Sequence, residues 1–192
     1  MAHLRAESAL SIDEVQIVTR SYLSLNFLYT AHHFAERARA LEVAHPPMSP
    51  HDPRHRGYVV GSVVMSTTFL EAVINEVLQD AADNAAQYAK QLPAKFAARL
   101  SAVWRASDQG KKFSTLERYA VSLSLADANE MPKGEKPWQD AQLVVQLRNW
   151  MVHYRPQDRS TDSESKLETA LRDKFPSNPV MSSGNPWLPN HA

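Results

Sequence analysis

The chain has 192 residues, 43% hydrophobic and 22% charged, with no cysteine and a formal net charge of zero. That length suits one domain able to bury about 70% of its unfolded surface. The missing thiols exclude disulfides, thiolate nucleophiles and cysteine-ligated zinc, and 21 Lys plus Arg against 21 Asp plus Glu provides no global field for nucleic acid.

Five glycines in the whole chain and long proline-free runs predict helix throughout. Ser11 with Glu14 has the form of a capping box and opens a first helix running to about Val43. Its apolar side carries Val15, Val18, Tyr22, Leu25, Leu28 and Tyr29. Residues 44–56 hold four prolines and read as a loop. A second helix is expected from Tyr58 to about Leu92, with Gly61, Ser62 and Ser66 letting a neighbour approach closely. Pro93 suits the first turn of a third helix, to about Ala106. Ser114 with Glu117 is another capping box and opens a fourth, ending near Asp127.

Residues 131–137 form a turn, Trp138 starts a fifth helix to Tyr154, and Pro156 stops it. Thr161 or Asp162 caps a last amphipathic helix to about Phe175. The expectation is an all-α bundle of five or six helices over residues 1–175, with the second and fifth helices packed together in its core. A proline-rich tail of little order follows at 176–192. The N-terminus lacks a signal-peptide pattern, and the uncharged run Gly57 to Leu70 is too short to span a bilayer. A cytoplasmic protein without membrane attachment is expected.

The fifth helix carries the most chemistry. Leu143, Val144, Leu147, Trp150 and Met151 follow the spacing of a buried stripe. Arg148, Asn149 and His153 are set among them. Asn149 and His153 are one turn apart and share a face, whereas Arg148 is offset by about 140° from His153. A fixed cation, an amide and a group titrating near neutrality suit chemistry on phosphate. On the second helix, Glu71 and Asn75 are also one turn apart on an otherwise apolar face and need partners when buried. Seven basic residues between Lys90 and Arg118 face two acidic ones, a stretch that reads either as a solvated helix face or as an RNA contact.

Arg148-Asn149-Trp150-Met151-Val152-His153, an Arg-Asn-x-x-x-His pattern late in a helix, resembles the signature of the HEPN superfamily of small all-helical domains. The stretch Phe69 to Glu76 is similar to the early helix that packs beside that signature in bacterial members. Many HEPN domains are metal-independent ribonucleases, and others are inactive nucleotide- or RNA-binding modules or toxin–antitoxin partners. The resemblance implies an RNA substrate, no cofactor and no metal, and a twofold homodimer whose two signature helices line one cleft. It also implies an antitoxin or another protein partner in a defence system.

Under that reading Arg148, Asn149 and His153 are catalytic. Glu71 orients Arg148 or His153, and Asn75, Tyr154 and Arg155 support them. One HEPN toxin group carries a modifiable tyrosine two positions after the histidine. Arg155 stands there in this chain and Tyr154 comes one residue early, which puts that mode of regulation in doubt.

Each candidate also has a structural reading. His153 in a last helical turn can bond free carbonyls. Asn149 can bond it, and Glu71 and Asn75 can fix helix packing. The alternative function is therefore a non-catalytic helical module that binds protein or nucleotide. No Gly-x-Ser-x-Gly elbow or phosphate-cradling glycine loop is present. His32 and His33 point apart, and His45, His51 and His55 sit without a convincing ligand spacing.

Overall fold

The computed structural model describes residues 19–44, 52–85, 88–128, 132–155, 166–171 and 174. Six helices follow in chain order: α1 Ser24–Ala44, α2 Pro53–Asp83, α3 Ala94–Ala106, α4 Thr115–Leu125, α5 Trp138–Val152 and α6 Lys166–Leu171. A single 3-10 turn, Ala89–Gln91, links α2 to α3. Among the described residues there is no strand, and the protein is an all-α bundle of six helices.

α2 is the hub, 31 residues long, with α1 along one side and α3, α4 and α5 along others. Its start lies inside the expected proline-rich loop, because Asp52 is an N-cap. The Asp52 carboxylate accepts the backbone N–H of Arg54 at 2.8 Å and of His55 at 3.4 Å, and Pro53 occupies the first helical position. The same carboxylate accepts from the Arg54 guanidinium, which holds its pKa well below the usual range. α2 also ends earlier than expected, at Asp83. Asn84 turns left-handed there, at φ 54°, and gives its N–H to the Asp80 carbonyl.

α1 departs most from its expected course. Ser11, Glu14, Val15 and Val18 lie outside the described residues, and residues 19–23 are not helical. Leu25, Leu28 and Tyr29 face solvent, while Ser24, Ala31 and Ala38 are buried. Small side chains let α1 press close to α2, and closeness wins over burying the bulkier stripe. Phe34 lies on Gly61, where a β-carbon would fall 2.6 Å from its ring, and Ser62 Oγ donates to the Ala31 carbonyl at 3.0 Å.

Ile74, Leu78, Ala81 and Ala82 of α2 pack on Leu100 and Trp104 of α3, with Tyr119 and Leu125 of α4 closing the cluster. Tyr119 gives its hydroxyl to the Leu70 carbonyl at 2.7 Å, and burial pushes its pKa up to about 12. The Ser114–Glu117 capping box forms both of its bonds. A second cluster joins Leu147 of α5 and Leu171 of α6 to Val63 of α2, so the second and fifth helices do pack together. The expected last helix is described only over Lys166–Leu171, and the tail 176–192 lies outside the described residues.

α2 is long and apolar enough to cross a membrane, with a mean hydropathy of 1.5 over its best 18-residue window. It extends beyond the uncharged run Gly57 to Leu70, which taken alone falls short of a span. Only 11% of that window is buried inside the bundle, while Glu76 and Asp80 of the same helix bind neighbouring segments of the chain.

Candidate functional site

α5 ends at Val152: the His153 N–H still donates to the Asn149 carbonyl at 3.0 Å, but His153 itself leaves the helical conformation at φ −103°, ψ 28°. Leu147 is buried against α6 and α2, which anchors the helix and leaves the next turn at the surface. Arg148 is half-buried. Its Nη1 donates to Asn149 Oδ1 at 3.0 Å, and its Nε is buried without a hydrogen-bond partner among the described residues. Asn149 and His153 are exposed. The His153 ring makes no hydrogen bond to another described residue, so its backbone caps the helix and its imidazole remains open to solvent. Trp150 meets Tyr154 edge to face at 5.4 Å, and Tyr154 and Val152 are 43% and 50% exposed. Arg155 is exposed as well.

Arg148 and Asn149 are therefore joined, and His153 and Arg155 stand beside them at the same helix end. Glu71 and Asn75 are engaged elsewhere. Arg118 of α4 donates to Asn75 Oδ1 at 2.6 Å, lies 3.7 Å from Glu71, and gives its Nε to the Gly110 carbonyl at 3.2 Å. The side chains expected to steer Arg148 or His153 instead lock α4 to α2. Spacing along one helix cannot reveal which cation arrives from another.

Much of the basic run has a similar duty. Arg105 donates to the Ala82 carbonyl at 2.6 Å, Arg99 to the Leu125 carbonyl at 2.9 Å, and Lys112 to the Ala106 carbonyl at 3.1 Å. Each cation satisfies orphan acceptors at the end of a helix, where the dipole is negative. Among the described histidines, His55 pairs with Glu42 at 2.6 Å and His32 with Glu36 at 3.3 Å. No group of three His, Asp or Glu side chains among the described residues converges to hold a metal ion.

A second polar region occupies the far part of α2, beyond any signal in its spacing. An open groove of about 490 Å³ lies between residues 20–22, α2 and the end of α3, lined by Arg20, Tyr22, Asn75, Glu76, Asp80 and Trp104 among others. Glu76 accepts the N–H groups of Leu23 and Ser24 at 2.8 and 2.9 Å and the Ser24 hydroxyl at 2.7 Å. It thereby caps the start of α1 from a neighbouring helix, placing negative charge at the positive end of the dipole. Asp80, with none of its surface exposed, accepts from Arg20 at 2.7 Å, from Tyr22 at 2.9 Å and from the Tyr88 N–H at 3.0 Å. Gln79 and Arg20 hold Asp83 below the usual carboxylate range, and Asp83 with Asp80 raises Arg20. The carboxylates of this groove are consumed in clasping residues 20–24.

No family model, curated protein or solved structure matches the chain. The likeness to HEPN domains accordingly rests on the residues at 69–76 and 148–153.

Proposed function

We propose that the protein is a metal-independent endoribonuclease of HEPN type, cytoplasmic, and part of a toxin–antitoxin or phage-defence system. The observation that carries this reading is the end of α5, where the half-buried Arg148 is bonded to the exposed Asn149, its Nε has no acceptor among the described residues, and the exposed His153 follows at the helix end.

In the proposed reaction the ribose 2′-hydroxyl attacks the adjacent phosphorus. The 2′-O–P bond forms as the P–O5′ bond breaks, leaving a 2′,3′-cyclic phosphate and a 5′-hydroxyl. His153 takes the 2′ proton as general base or supplies the 5′ proton as general acid. Arg148 offsets charge on the phosphorane oxygens with its forked donors, and Asn149, bonded to it, fixes the guanidinium plane. Tyr154 and Arg155 extend the same surface toward the RNA. The homodimer and the antitoxin partner belong to this proposal through the HEPN likeness.

The test is incubation of the purified protein with a mixed RNA pool in EDTA. Cleavage is expected, with cyclic-phosphate ends, and is lost in His153→Ala while helicity and assembly are unchanged. Undiminished cleavage by His153→Ala would remove its catalytic role. Wild-type inactivity with retained RNA or nucleotide binding would favour the second reading, a non-catalytic binding module. That reading is supported by the engagement of Glu71 and Asn75 with Arg118, which leaves the His153 ring without a described orienting partner.

A further inference from the structure

Arg148, Asn149 and His153 can address a phosphodiester, but none of them accounts for the base attached beside it. Among the described residues, the large hydrophobic side chains exposed outside α1 and the residue preceding it are Val152 and Tyr154, and these two flank His153. Tyr154 is 43% exposed, and its ring meets Trp150 edge to face, with centroids 5.4 Å apart and planes at 78°. A contact of that kind occupies at most one face of a ring, so Tyr154 keeps π-surface in solvent. Trp150 is itself half-buried against the cluster of Leu147 and Leu171. The tie to Trp150 anchors Tyr154 to the core and reduces the rotamer freedom it would lose when a ligand stacks on it.

We infer, on the reading of this turn as an RNA site, that Tyr154 is its base-stacking residue: a nucleobase turned out of the strand lies on the tyrosine ring while the adjoining phosphate meets Arg148 and His153. Cations for the backbone and an aromatic face for the base are the two components of a single-strand nucleic-acid site. Here they follow one another along the chain, with Tyr154 between His153 and the exposed Arg155. Trp150, Val152 and Tyr154 offer the base mainly π and apolar surface, so the site registers the presence of a base with little discrimination among bases.

The proposed reaction makes the same demand. The 2′-oxygen comes into line with the P–O5′ bond only when the nucleotide leaves regular A-form stacking. An aromatic face beside the imidazole holds the base in that displaced position. Tyr154 would thereby select the nucleotide and position it, while taking no part in proton transfer.

The test is fluorescence anisotropy with a short labelled 2′-O-methyl oligouridine and an abasic 2′-O-methyl strand of equal length. Neither carries an attacking 2′-hydroxyl, so binding is read apart from cleavage. The wild type should bind the oligouridine at least about fivefold more tightly than the abasic strand. Tyr154→Ala should lose that difference and keep its affinity for the abasic strand. Tyr154→Phe, which retains the π-face, should preserve the difference, and circular dichroism should show unchanged helicity in both variants. Equal affinity of wild type and Tyr154→Ala for the oligouridine overturns the inference, and so does a wild type that binds neither strand. His153→Ala should retain base-dependent binding while losing cleavage. A wild type that binds the base through Tyr154 and cleaves no RNA would refute the nuclease reading alone. RNA cleavage in EDTA, together with oligouridine binding indifferent to Tyr154, would refute the stacking role alone.

Discussion

Two polar regions of this bundle differ in how completely their groups are used. Around Glu76 and Asp80 the hydrogen-bonding capacity is taken up by protein: Asp80 alone holds Arg20, Tyr22 and the Tyr88 N–H, with no exposed surface of its own. At the end of α5, among the described residues, Arg148 reaches its neighbour Asn149 alone, one of its donors has no acceptor, and His153 is exposed. A saturated network stores stability and specifies one arrangement of helices. An unsaturated one on a firm helix is available to a ligand. A polar cluster's meaning therefore lies in its unmet bonds more than in its residue types.

The largest effect should come from breaking the saturated side. Asp80→Ala strands the Tyr22 hydroxyl and the Tyr88 N–H and frees Arg20, and should cost about 3 kcal/mol. Urea unfolding reads it as a lowered midpoint, and a loss under about 1 kcal/mol would show that the clasp is not structural. Next, acid should loosen the clasp. Asp83 has its pKa lowered in the folded state, so the folded protein binds fewer protons than the unfolded chain, and stability rises with pH. The contribution is complete above the unfolded carboxylate range, near pH 5, and disappears as pH falls through the lower folded value. Melting curves from pH 6 to 3 should show Asp83→Asn losing less stability than the wild type over that interval.

Arg148→Met should change stability by no more than about 1 kcal/mol in either direction, because the lost bond to Asn149 is offset by removal of the unpartnered Nε. Thermal melts check this, and a loss above about 2 kcal/mol would place Arg148 with the structural network and against the nuclease reading. Ser122 makes the smallest case. Its hydroxyl is buried without a partner among the described residues, beside an apolar void lined by Leu78, Leu100 and Val121. Ser122→Ala should be neutral or stabilising by up to about 1 kcal/mol, as measured by the shift in melting temperature.

The helical content of this chain was legible because its signals are local. The Ser114–Glu117 box, the proline before Ala94 and the stripe through Leu147 involve neighbours within a turn or two, and the helices they announce are present. The placement of Arg148 and Asn149 on one late helix with His153 at its end was legible for the same reason. Asp52 was overlooked as a cap because the surrounding prolines suggested a loop, although the cap is equally local.

What no local pattern contains is the choice among partners far along the chain. The Leu25, Leu28, Tyr29 stripe announced a buried face, yet Ala31 and Ser24 allow a tighter seat on Gly61 and Ser62, and the larger side chains were left outside. Glu71 and Asn75 announced a need for a cation, and the tertiary fold supplied Arg118, 43 positions beyond Asn75. Residue types and their spacing determine which helices form and which groups demand satisfaction, because backbone propensity and desolvation act on each residue where it stands. Only the packed structure decides who satisfies whom, because close approach and shared hydrogen bonds depend on surfaces that meet once every helix is in place.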